Sequence, residues 1–483
     1  MKSIRVFAWL LAIALAAARL PAQEAARVEE LQRQLRQLQE EFARQRAQQQ
    51  QQIDRLKEQI DALRAVPTNP PSVNPASNAA ATAQPPAVEP ARPPGSIPLL
   101  AAGKSYMNLS LDGLFAAGAS TARSIDALEP GGHDPKQRGF TVQNLEATFD
   151  GAVDPFFRGQ ANLIFQVDSA GESRLELEEA YLTTVALPGN LQVKAGQFFT
   201  EFGRLNAMHP HAWAFVDQPL VNGRFFGPDG LRNPGGRLSW LMPTPFYSEL
   251  FLAVQDSHGE TAASFRNDNG GNARFGRPVS AGTVQSVGDL LFAPRYALSF
   301  DLSDTQTLLL GASAALGPNG SISSTGGRAS TDTQVYGLDW FWKWKSSNQH
   351  GGFPFVSWQT EAMLRRYEVS GFSGPPGPGN PSGSLPDENL LDYGMYSQLA
   401  WGFRKGWVAA LRGDYVAGRR AAFYPDPDRE RRWRLSPNLT WFPSEFSKIR
   451  LQYNYDTRET LGVDHSVWLQ FEFLLGSHGA HKF

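Results

Sequence analysis

The sequence predicts an all-β fold: an antiparallel transmembrane β-barrel of about sixteen strands, preceded by a signal peptide, a short α-helical coiled coil and a proline-rich linker. Three observations carry this. From residue 104 onward apolar residues recur at every second position, short turns alternate with long loops, and tryptophans collect near the expected strand ends.

The N-terminal elements come first. "MKSIRVFAWLLAIALAAARLPAQ" sets Lys2 and Arg5 before an apolar run from Val6 to Ala18, with Ala22 and Gln23 at the cleavage point, and so reads as a signal peptide over residues 1–22. The run is too short for a spanning helix, which needs ~20 residues. No later stretch reaches ~18 uninterrupted apolar residues, so no helical span is expected after it. Over residues 25–65, Val28, Leu31, Leu35, Leu38 and Phe42 follow heptad spacing, and Ile53, Leu56, Ile60 and Leu63 resume it out of step beyond Gln48–Gln52. A stripe this narrow is buried only by association, which predicts a coiled coil joining subunits. Residues 66–103 then carry ten prolines between Pro67 and Pro98 and predict an extended linker.

The barrel is expected over residues 104–483. "KIRLQYNYD" places Ile449, Leu451, Tyr453 and Tyr455 on one face and Lys448, Arg450, Gln452, Asn454 and Asp456 on the other. "GQANLIFQVD" sets Ala161, Leu163, Phe165 and Val167 against Gln160, Asn162, Gln166 and Asp168 in the same way. Sixteen such stretches run from 104–121 and 139–154 through 190–204 to 447–459 and 464–476. In the last, Val467, Leu469, Phe471, Phe473 and Leu475 face lipid while Trp468, Gln470 and Glu472 face inward. Links such as "VDPF", "LPGN" and "RKG" alternate with loops 259–289, 318–331 and 371–389. A soluble sandwich or propeller leaves Trp340, Trp342, Trp344, Trp401, Trp407 and Trp441 without a role, whereas girdles at the two membrane interfaces account for them.

Composition excludes several functions. A net charge of -2 leaves no footprint for nucleic acid, and the absence of cysteine removes disulfides and thiolate chemistry. No GxSxG, HExxH or GxxxxGK motif occurs, so neither an enzyme nor a cofactor is expected.

"LEEAYLTTVALPGNLQVKAGQFFTEFGRLN", with its "EAYL" and "KAGQFFTEFG" (Lys194 to Gly203), resembles the phosphate-selective porin O and P family and related trimeric porins with N-terminal coiled coils. The resemblance implies an outer-membrane homotrimer with its coiled coil in the periplasm, a third loop folded inward, and passive passage of small hydrophilic or anionic solutes. Phe483 is similar to the terminal aromatic that such barrels present to the barrel assembly machinery. The tail "GSHGAHKF" resembles proteins labelled zinc-regulated TonB-dependent outer-membrane receptors. That likeness implies an alternative, a zinc-linked uptake receptor, although a coiled coil and linker stand where such a receptor carries its plug. A third reading makes the barrel an anchor and the helix a tether to the cell envelope.

The expected constriction is the stretch 205–234, long, aromatic and poorer in Gly and Ser than the other loops. It and its flanks supply Arg204, Arg224, Arg232 and Arg237 against Asp217 and Asp229, candidates for charge sorting at the narrowest point. On the wall, Lys194, Arg412, Lys448 and Arg450 are expected inward together with Asp168, Glu176, Glu178, Asp414 and Glu472, a mixed lining. His209 and His211 come nearest to a metal-ligand pattern, but a pair without a closed set predicts no metal site.

Overall fold

The computed structural model describes residues 97–476 except 103–104, 169, 268–273, 281, 323–330, 375–383 and 420–428. The expected signal peptide, the coiled coil, most of the linker, His478, His481 and Phe483 lie outside the described residues. In chain order the strands are β1 (Ile97–Ala102), β2 (Ser105–Ser120), β3 (Gly139–Ala152), β4 (Phe157–Val167), β5 (Ser173–Thr184), β6 (Leu191–Phe199), β7 (Arg232–Leu241) and β8 (Tyr247–Asp256). There follow β9 (Leu290–Ser303), β10 (Gln306–Pro318), β11 (Asp332–His350), β12 (Phe353–Val369), β13 (Phe372–Ser373) and β14 (Ser384–Leu385). The last are β15 (Glu388–Arg404), β16 (Trp407–Arg419), β17 (Arg432–Ser444), β18 (Ser447–Arg458) and β19 (Gly462–Leu475).

Sixteen of these, β2–β12 and β15–β19, pair antiparallel with their chain neighbours, and β19 closes on β2 with Ser466 opposite Ser120 and Leu475 opposite Leu111. Closure leaves these sixteen strands no free edge, which a bilayer would not tolerate. β1 pairs with the first residues of β2, beyond the point where β19 stops, and β13 pairs with β14 in a small loop hairpin.

Alternation sets the faces. In β19, Val467, Leu469, Phe471 and Leu475 are exposed while Trp468 and Gln470 are buried. The same inversion runs round the barrel: Leu411, Leu435, Leu439 and Leu451 stand outward, and Arg412, Arg434, Arg450 and Asn454 inward. A water-soluble barrel would show the reverse, so the apolar outer face is a lipid face and the fold is a membrane-spanning barrel. Trp240, Trp340, Trp401 and Trp441 are exposed toward the short-turn end, with Tyr336, Tyr393, Trp433 and Tyr453 toward the other, forming the two girdles. Turns such as 304–305, 351–352 and 405–406 lie at one end, and connections such as 121–138, 200–231 and 257–289 at the other.

The strands match the period-two reading closely except at β6, which ends at Phe199 rather than near 204. There the apolar run continues as Phe202 and Leu205, but these side chains pack inside the lumen. Gly203 makes the turn: its φ is +59°, and a Cβ there would meet a carboxylate oxygen of Glu361 at 2.0 Å.

Candidate functional site: the loop-filled lumen

Residues 200–231 leave the wall after β6 and cross the barrel interior. Gly203 N–H donates to Ser313 Oγ at 3.0 Å on β10, and Leu205 N–H donates to Glu361 Oε1 at 2.8 Å on β12. A short helix, α1 (Leu220–Phe226), packs against β15 and β16, where the missing side chain of Gly394 leaves room for Val221. Phe202, Leu220, Val221, Phe225, Phe226 and Leu231 form an apolar cluster with wall residues Leu291, Ala315, Val335, Met363, Tyr396 and Val416. The loop is therefore held here chiefly by hydrophobic burial, with backbone bonds to β10 and β12 beside it.

A first polar anchor centres on Asp217, fully buried on the loop. Its carboxylate takes Arg412 at 2.9 Å, Arg434, Gln452 at 2.6 Å and Asn454 at 2.9 Å, tying it to β16, β17 and β18. Burial alone would raise its pKa, but Arg412 and Arg434 outweigh that and hold it at about 2. Arg434 also meets Glu129 and Asp456, and Arg412 meets Asp414, so the network is shared among several carboxylates.

A second polar anchor joins the loop to the wall at β3 and β5. His209 is buried with Nδ1 at 2.8 Å from Glu178 and 3.2 Å from Glu146, and Nε2 at 2.9 Å from Glu179. Glu178 and Glu179 are sequence neighbours, so strict alternation would send one of them to lipid. A β-bulge in β5, between the pairs Asn162–Glu179 and Leu163–Leu177, turns both inward. Burial opposes charge on His209, but Glu146 and Glu178 outweigh it and hold the imidazole well above the ordinary histidine range.

The other predicted residues divide by environment. Arg232 and Arg237 are buried, the first paired with Glu176 and donating to the Glu178 carbonyl at 2.9 Å, the second paired with Glu201. Arg204 lies over the ring of Phe341 at 4.1 Å and donates to Gln359. Arg224 and Asp229 line an outer vestibule of about 940 Å³ above α1. On the wall, Lys194 lies 3.7 Å from Glu201, Lys448 pairs with Glu472, and Arg450 donates to Thr440, Gln470 and the Trp213 carbonyl. Asp168 lines the vestibule. Among the described residues the vestibule carries seven carboxylates and seven cationic side chains, so its charge is balanced.

Sequence reasoning missed Glu146, Glu179 and His133, which the fold gathers around His209, and Arg434 and Asp456 beside Asp217. Their inward positions follow from alternation; their convergence depends on strand register and on where the loop lands.

These features define a class: a sixteen-stranded membrane-spanning barrel with a loop anchored across its lumen. No family model matches the chain, so the likeness to the phosphate-selective porin O and P family stays a resemblance. A protein of Aquifex aeolicus (strain VF5), described as uncharacterized, is 30% identical over 378 residues, 73% of each chain, and the chain belongs to the same family as that protein. Among solved structures, the outer membrane channel DcaP of Acinetobacter baumannii aligns with a TM-score of 0.48 and 14% identity over 77% of this chain and 97% of that one. The anion-selective porin from Comamonas acidovorans aligns at 0.45 with 8% identity over 76% and 99%. At these values the likeness carries no argument, and the fold rests on the strand pairing.

Proposed function

We propose that the protein is an outer-membrane channel for passive diffusion of small hydrophilic solutes, with passage set by the loop at 200–231. The observation that supports this most directly is the inverted barrel, lipid-facing outside and lined inside by Arg, Asp, Asn and Gln, because a polar interior serves passage of water-soluble molecules. Selection in this reading is chiefly by size, and the balanced vestibule makes any charge preference mild. Arg204 and Arg224, both only partly buried, would give that preference an anionic lean. The leader at 1–22 supports export, and the heptads of 25–65 support a periplasmic coiled coil that joins three copies. The linker over 66–103 would separate that coil from the barrel, and the C-terminal strand ending in Phe483 would engage the assembly machinery.

The test is reconstitution of the refolded chain in a planar bilayer under a salt gradient. Stepwise openings of small conductance with a slightly anionic reversal potential are expected. A folded barrel that never opens would overturn the diffusion reading and favour a receptor or envelope anchor, since the loop crosses the whole lumen.

A further inference from the structure

We propose that His209, Glu146 and Glu178 bind a divalent transition-metal cation that staples the lumen loop to the barrel wall. The three come from different parts of the chain, the loop, β3 and β5, and one ligand atom from each lies within 4.8 Å of the others. All are buried, at 5%, 0% and 1% exposure, so the cluster is not the solvated acidic patch common on protein surfaces.

The donor geometry points to a cation. Nε2 of His209 meets Glu179 at 2.9 Å, and Glu179 is itself oriented by the Phe199 N–H at 3.0 Å. An imidazole N–H given to a carboxylate is the arrangement that aims the other ring nitrogen at a metal. That other nitrogen, Nδ1, faces oxygens of Glu178 at 2.8 Å and of Glu146 at 3.2 Å. Neither Nδ1 of His209 nor Oε2 of Glu178 has a hydrogen bond of good geometry. Two carboxylates and an imidazole lone pair repel one another unless positive charge sits among them. Beyond this shell, His211 lies 3.3 Å from the second oxygen of Glu146, and His133 lies 3.7 Å from the second oxygen of Glu178. One nitrogen and two carboxylate oxygens suit Zn²⁺, Mn²⁺ or Fe²⁺ better than a soft monovalent ion. The β5 bulge supplies both the ligand Glu178 and the orienting Glu179, a local departure from alternation that packing of a lipid-facing strand does not require.

The experiment uses the refolded full-length chain with His478→Ala and His481→Ala, so that tail histidines do not bind the probe. After chelator dialysis, Zn²⁺ binding is measured by calorimetry, with folding of each variant verified by heat-modifiable migration. Expected is one site per chain, weakened at least ~100-fold in Glu178→Gln and in Glu146→Gln, because loss of a direct ligand exceeds the ~10–100-fold seen for outer-shell partners. Co²⁺ gives a second readout, a visible ligand-field band that disappears in both variants. No uptake by the folded parent chain, or equal uptake by the glutamine variants, overturns the proposal and leaves His209 as an imidazolium clamp. Channel activity enters neither readout, so a failure of the diffusion reading leaves this result standing.

Discussion

Arg412 on the barrel wall donates to Asp217 on the lumen loop at 2.9 Å, and both side chains are almost completely withdrawn from solvent. Breaking one side of a buried ion pair costs about 3–5 kcal/mol when the remaining charge has no other partner. Here Arg412 keeps Asp414 and Arg434 keeps Glu129 and Asp456, so Asp217→Asn is expected at the low end, about 3 kcal/mol. The barrel should survive while the loop loosens. Single-channel recording should show larger, noisier openings, and limited proteolysis should cut within 200–231 in the variant alone.

Acid should reproduce that variant. The pKa of Asp217 is depressed to about 2, below its unfolded value near 3.9. A depressed carboxylate contributes stability that is full above the unfolded pKa and is lost as pH falls through the folded one. Conductance of the wild-type chain is expected to rise between about pH 4 and about pH 2 as this carboxylate protonates. Asp217→Asn should lack that step. A wild-type profile without change in this window would show that the pair does not hold the loop.

The outward face tolerates charge poorly. Leu469 is 49% exposed near the middle of β19, so Leu469→Arg is expected to cost about 2–4 kcal/mol in lipid. Urea titration of the barrel in vesicles measures this directly. Gln470→Arg, one position along but facing the lumen, should cost less by that route and would act instead through Arg450 and Gln143.

Two arginines that look equivalent in sequence should separate. Arg224 lines the vestibule and donates to the Glu430 carbonyl, whereas Arg232 is buried against Glu176 and the Glu178 carbonyl. Arg224→Gln should move the reversal potential a few millivolts toward cations with folding unchanged. Arg232→Ala should instead lower the yield of folded barrel, since it leaves the Glu178 carbonyl without its donor and a void at the root of the loop.

Most of the fold is legible in the sequence because the bilayer imposes it. A strand with lipid on one side and polar lumen on the other must alternate, and Val467 through Phe471 do so residue by residue. The reading overran at β6 because Phe202 and Leu205 continue an apolar pattern whose destination is the lumen loop, and periodicity does not distinguish burial in lipid from burial in protein. The loop itself was legible from its length and aromatic content. Its anchors were not: Asp217 meets Asn454 across 237 positions, and Glu179 faces inward only because a bulge breaks the alternation of β5. "HPH" was the one visible signal of the His209 cluster, and it gave no hint of the carboxylates that surround it.

The reach of Asp217 also orders events during biogenesis. Its partners at 412, 434, 452 and 454 lie 195 to 237 positions further along the chain, on three other strands. The loop can dock only once β16, β17 and β18 stand closed in one barrel with β6 and β7, whatever the order in which the strands insert. Contacts this distant in sequence form late and slowly. Closing the barrel and narrowing its bore are therefore coupled: the strands that complete the wall are the ones that seat the loop.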